Sequence, residues 1–168
     1  MVATINRRVC AEIDGPFVVF MIGARLNRPW KLNVALPFFA TMPRMLKELA
    51  AEPALGLMHV RQDFGFNSAT LTQYWRSFEH LEAYARAPER QHLPAWQWFN
   101  GKLGSNGDIG IWHETYLIQP GCYETVYNNM PPYGLGAAGR LVDATGVRQS
   151  ARARIKASAA AAKQTEPA

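Results

Sequence analysis

His92, His113 and Glu114 carry the side chains best suited to moving a proton in this chain. His92 recurs with Trp96, Phe99 and Leu103 at i, i+4, i+7 and i+11, so a helix would set its imidazole on an apolar stripe. An imidazole facing a cavity between helix and sheet exchanges protons near neutral pH, which suits a general base. The competing reading is a histidine at the edge of the stripe whose ring is bonded to a backbone carbonyl. His113 and Glu114 adjoin in the run Gly110-Ile111-Trp112-His113-Glu114-Thr115-Tyr116, which reads as a strand. Side chains alternate along a strand, so these two face opposite ways and cannot form a dyad. His113 goes with Ile109, Ile111, Thr115 and Leu117, and Glu114 goes with Trp112 and Tyr116. One of them is expected to point into the pocket and assist His92. The other points to solvent or to a partner subunit.

Substrate contacts are expected from Trp75, Trp96 and Phe99 as an apolar lining, and from Gln62 and Gln73 as amides. Gln62 and Gln73 would orient a substrate carbonyl or hydroxyl. Alternatively, they satisfy each other across two strands. A hairpin turning at Asn67-Ser68 explains their place. That turn sets Phe66 against Ala69, Phe64 against Leu71, Gln62 against Gln73 and Val60 against Trp75, with Met58 continuing the face. The opposite face carries His59, Arg61 and Asp63 against Arg76, Tyr74 and Thr72. One register thus yields one apolar and one polar face, as a half-covered antiparallel pair requires.

The elements holding these residues follow from pattern. Phe17-Val18-Val19-Phe20-Met21-Ile22 is apolar on both faces and reads as a central strand. Gly23 to Trp30 reads as a loop, and residues 31–40 are ambiguous, with Pro37 and Pro43 breaking or restarting a helix. Thr41 caps a helix carrying Met42, Met45, Leu46 and Leu49 at helical spacing. Ser77 caps another, with Phe78, Leu81, Tyr84 and Ala85 as its stripe, and Ala87-Pro88 restarts helix before His92. Asp108 to Ile118 is the closing strand. The order strand, helix, strand, strand, helices, strand predicts an α+β ferredoxin-like split βαβ fold. Its four-stranded antiparallel sheet has helices on one face, and a second copy is expected to cover the other. Around this domain, residues 17–139, lie an irregular lead-in (1–16) and a basic, Ala-rich tail (140–168) that reads as frayed or disordered. Within the domain, residues 122–139 form an aromatic, proline-rich arm expected to lie over the domain or a partner subunit.

Composition narrows the classes. The chain has 168 residues, 48% of them hydrophobic, enough for one cored domain. Most of the net charge of +5 sits in the tail, where Arg140, Arg148, Arg152, Arg154, Lys156 and Lys163 oppose Asp143 and Glu166. The domain itself is nearly neutral, which argues against nucleic acid as a partner. Cys10 and Cys122 lack metal-ligand spacing and are expected as reduced thiols in a cytoplasmic protein. No signal peptide and no bilayer-spanning run is read in the sequence. Phosphate loops, dinucleotide fingerprints and zinc spacings are absent. Arg25, Arg28, Trp30 and Lys31, followed by Phe38 and Phe39, read first as a loop closing over the pocket mouth. Contact with a membrane surface is the less favoured reading.

Phe17 to Gly23, Asn27-Arg28-Pro29-Trp30-Lys31, Met42-Pro43-Arg44-Met45, Tyr74-Trp75-Arg76-Ser77, Gly110 to Tyr116 and Asn129-Met130-Pro131-Pro132 together resemble the family called domain of unknown function 4188. Its members are often labelled monooxygenase-like, and the resemblance covers about residues 15–139. Trp75, Ser77 and His92 also stand where dimeric α/β-barrel monooxygenases, including haem-degrading ones, carry a strand-ending tryptophan, a helix-leading serine and an iron-binding histidine. That likeness implies a homodimeric oxidoreductase acting on a small apolar or aromatic substrate. His92 would be its base or its haem ligand, so the enzyme would be cofactor-free or haem-dependent. The segment before His92 is shorter than in those enzymes and carries Pro88, and no asparagine stands on the first strand. A non-catalytic module binding a hydrophobic ligand, or one resting on a membrane, is the alternative.

Overall fold

The computed structural model describes residues 2–90, 97, 99–101, 104 and 106–163, and the side chains of 32–41 and 161–163 lie outside the described set. His92 and Trp96 therefore fall outside it, as does the segment around them.

Strand β2 (Phe17–Leu26), helix α1 (Leu32–Ala51), strands β3 (Leu57–Phe64) and β4 (Ser68–Trp75), helix α2 (Phe78–Arg86) and strand β5 (Ile109–Ile118) follow one another along the chain. The four strands make one sheet in the order β3-β4-β2-β5, with every neighbouring pair antiparallel. This is the ferredoxin-like α+β arrangement that the element order predicts. β2 runs four residues further than its apolar run suggests, because Gly23 to Leu26 continue the ladders to β4 and β5 on both sides. Gly23 fits there because the Trp112 indole of β5 lies over it, where any Cβ would collide. α1 passes through Pro37 and Pro43 without ending, so each proline forfeits a helix hydrogen bond without breaking the element.

Two cores sandwich the sheet. On one face Val18 and Trp75 pack against Leu49 of α1 and Leu81 and Tyr84 of α2. α2 starts as expected, with the Ser77 side chain accepting from the His80 backbone N–H. On the other face Phe17 and Tyr74 pack against Ala11, Ile13 and Leu135. The two faces differ in what covers them: helices on one, and chain from both ends of the sequence on the other.

That second cover differs from the sequence reading. The lead-in holds strand β1 (Ile5–Glu12), which pairs with β6 (Tyr127–Met130) on one side and β7 (Arg140–Asp143) on the other. The short helix α3 (Leu135–Ala138) lies between β6 and β7, and helix α4 (Ala151–Lys163) follows. The described part of the tail is therefore structured. Arg154 is its anchor, bonding Glu124 at 2.7 Å and the carbonyls of Arg148 and Gln149 at 3.1 and 2.9 Å. The buried Glu12 takes Arg148 at 2.7 Å and Arg140 at 3.0 Å, so basic residues read as a solvated tail satisfy an acid from β1. The aromatic arm lies over its own chain: the Tyr123 hydroxyl accepts from the Ile13 backbone N–H at 3.0 Å, and its ring meets Phe17 edge-on at 5.1 Å.

Candidate functional site

Strand register decides which candidate residues meet. The β3–β4 ladder pairs Phe64 with Ala69, Gln62 with Leu71 and Val60 with Gln73. This is two residues off the register expected from an Asn67-Ser68 turn, because the connection is Gly65 to Asn67, closed by the Gly65 N–H on the Ser68 carbonyl at 2.8 Å. A slip of two preserves the faces, so Gln62 and Gln73 share a side but do not oppose each other. A bulge between Leu57 and His59 then changes the strand's start. Leu57 packs with Trp75, while Met58 joins the cluster around Tyr74 on the other face.

The helix-covered face carries Gln73 and Trp75 on β4, Phe20 and Ile22 on β2, and His113 on β5, since Phe20 pairs with both Gln73 and Thr115 and Ile22 pairs with His113. Trp75 is 1% exposed and belongs to the core, and its indole N–H donates to Gln73 Oε1 at 2.8 Å. These two residues, expected to line an open pocket, are closed into the core by Leu49, Leu81 and Tyr84. The Tyr84 hydroxyl donates to Glu48 at 2.8 Å, and burial with that carboxylate pushes its pKa far up. Gln62 is exposed near the sheet edge.

Open surface lies toward β5 instead. His113 is exposed, and its ring stands 5.7 Å from Phe20. Phe99 packs against Ala24 and Ile109 on that same side of the sheet. His113, Phe20 and Phe99 are thus the described residues that can meet one apolar guest. Glu114 pairs with Met21 on the opposite face, where the Tyr116 hydroxyl donates to it at 2.5 Å and Glu114 pushes the Tyr116 pKa up. The two neighbours are split across the sheet, as strand alternation requires. His59 also faces that side, stacked 6.4 Å from Tyr74, and burial pushes its pKa down.

The Asp108 ion pairs were not legible in the sequence. Asp108 is almost wholly buried just before β5, and it takes Lys31 at 2.9 Å and Arg28 at 2.8 Å. Its carbonyl also accepts the Asn27 N–H at 2.9 Å. The loop after β2 is therefore clasped to the start of β5, closing that end of the sheet. The bond from Lys31, with Arg28 beside it, holds the Asp108 carboxyl below its ordinary value of 3.8. Nothing near Asp108 in sequence signals this, since its partners lie almost half the chain away. Among the described residues no His, Cys, Asp and Glu cluster could hold a metal ion.

Residues 17–135 match the family described as monooxygenase af470-like. The chain belongs to that family. The match covers nearly the stretch over which the sequence motifs run, and it carries this description rather than the label domain of unknown function 4188. The Monooxygenase af470 of Aspergillus fumigatus is 29% identical over 136 residues, covering 73% of this chain and 46% of that protein. An aldoxime dehydratase crystallised with butyraldoxime superposes with a TM-score of 0.65 at 15% identity, over 82% of this chain and 43% of that one. Another aldoxime dehydratase gives 0.66 at 16%, over 86% and 45%. At such identity these likenesses are of fold alone. The family member spans about half the length of the curated relative it matches.

Proposed function

We propose that this family member is a monooxygenase-type oxidoreductase that takes a small apolar or aromatic substrate against the β2–β5 side of the helix-covered sheet face. The observation carrying this reading is His113, an exposed imidazole beside Phe20 on the face where Phe99 packs. His113 would act as base, while the rings give an electron-rich substrate its apolar bed. The expected reaction begins with loss of a proton from an activated CH2 group to the base. The carbanion reduces dioxygen, one oxygen atom stays as a carbonyl, and the other leaves as water. His92, on the segment between α2 and Phe99, is proposed as a second base by its place in the sequence. Glu114 has no part on this face.

Haem, if bound, would supply iron for oxygen activation. His92 would be the residue to hold it, and the cofactor-free route is the one that His113 beside Phe20 supports. A homodimer is proposed because β5 is an edge strand with Ile111, Trp112, Tyr116 and Leu117 exposed, surface that a second copy would cover. Oxygen uptake with a panel of phenols, quinols and anthrone-like substrates tests the reaction. Uptake should be lost in His113→Ala and unaffected in Glu114→Gln. Uptake that survives loss of both His113 and His92 sinks the reading, and a Soret band restored by haemin together with activity would replace it with the haem route.

A further inference from the structure

The geometry points to a membrane-docking tip: Trp30, Phe64 and Phe66, flanked by Arg25, Arg28 and Lys31, seat one end of the sheet on an anionic lipid surface. β2 ends and β3 turns at this same end of the sheet. The turn is tied down by the Leu26 N–H on the Asn67 carbonyl at 2.8 Å and the Asn67 amide on the Leu26 carbonyl at 3.2 Å. Phe66 sits in the middle of that fixed turn and is fully exposed, and Phe64 beside it is 76% exposed. Trp30 is 73% exposed in the loop that the Asp108 clasp holds to the start of β5. Turns call for residues such as Gly, Asn and Asp, and nothing in this turn requires an aromatic ring at its tip. Among the described residues these are the most exposed aromatic side chains, and all lie at one end of the fold.

Charge says what covers them. The acids at this end are already neutralised, Asp63 by Arg61 at 2.7 Å and Asp108 by Arg28 and Lys31. Among the described residues Arg25 bonds only the neutral Asn27 side chain, at 3.3 Å. Arg25, Arg28, Lys31 and Arg61 thus outnumber the acids at the tip and leave it positive. Aromatic rings flanked by cations match a bilayer interface, where rings enter the headgroup boundary and cations meet lipid phosphates. No described helix is long and apolar enough to cross a membrane, so the contact is peripheral. Phe64 and Phe66 lie at the β3 edge, opposite the β5 edge proposed to face a second copy, while Trp30 stands beside the start of β5. The inference does not depend on the catalytic reading.

Sedimentation of the full chain with phosphatidylserine-containing vesicles, and with pure phosphatidylcholine vesicles, tests it. The protein should pellet with the anionic vesicles, less so as salt rises, and weakly with the neutral ones. Phe64→Ser/Phe66→Ser should weaken binding at least about tenfold, in line with the apolar surface two phenylalanines remove from water. Its circular dichroism and melting temperature should match the parent, because both rings are exposed. Arg25→Glu should lower only the anionic component. Protein that stays in the supernatant with both vesicles, or a double variant that pellets like the parent, overturns the proposal. So does a tip variant that breaks a dimer while the parent ignores vesicles, which would make the tip a contact between copies.

Discussion

Strands β4 and β5 both pair with β2, in the same sheet and the same direction, yet they have opposite fates. β4 is buried from Leu71 to Trp75 on both faces, under α1 and α2 on one side and under Ile13 and Leu135 on the other. β5 is exposed on both faces from Ile111 to Leu117. Polar side chains on β4 must be satisfied internally, as Gln73 is by Trp75, or stay orphaned, as Thr72 Oγ1 is. On β5, Glu114 is met by its neighbour Tyr116 at the surface, and the His113 ring stands exposed beside Phe20. Place in the strand order therefore sorts buried from open side chains here, where residue type does not.

The largest effect should come from the centre of β4. Trp75→Ala should cost about 3–5 kcal/mol in a urea titration, because a fully buried indole leaves a cavity. Trp112→Ala on β5 should cost less, since its ring, which lies over Gly23, is 39% exposed where Trp75 is 1%. Equal losses would erase the contrast. Next is Gln73→Leu, which leaves the buried Trp75 N–H without its acceptor and should cost about 1–3 kcal/mol by the same titration.

Smaller effects sharpen the edges of the comparison. The Asp108 clasp fixes where β5 begins. Its folded carboxyl titrates below the ordinary value of 3.8, so its stabilisation is complete above that pH and is lost as pH falls through the lowered value. Acid titrations of the parent should fall more steeply below about pH 4 than those of Asp108→Asn, and parallel curves would remove the clasp from the account. Thr72→Val on β4 replaces an unpartnered buried hydroxyl by a methyl of similar size, and should be neutral or stabilising by up to about 1 kcal/mol in thermal melts.

What the sequence disclosed follows the same division. Local signals worked: the apolar run at Phe17, the Ser77 cap, and the alternation that splits His113 from Glu114. The hairpin faces survived a register slip because the slip was even. The β1–β6–β7 sheet did not show, since Ile5-Asn6-Arg7-Arg8 reads as polar lead-in until strands more than a hundred residues away pair with it. Burial of Gln73 and Trp75 was equally hidden. Their alternation places them on the apolar, covered face, and only the way α1 and α2 pack decides that no open pocket is left beside Trp75. Asp108 carries no local mark because Arg28 and Lys31 reach it across the sheet end.

His113 gives the finest test, because it separates stability from activity. If β5 is free of structural duty, His113→Ala should shift the melting free energy by less than about 0.5 kcal/mol, as exposed substitutions do. The same variant should abolish oxygen uptake by a substrate that the parent oxidises. His113→Gln keeps the size and a hydrogen-bonding end but not the proton exchange, so it should also be stable and inactive. A variant that loses both properties together would mean that His113, like Gln73 on β4, serves the core, and the division between the two strands would fail at the residue on which it rests.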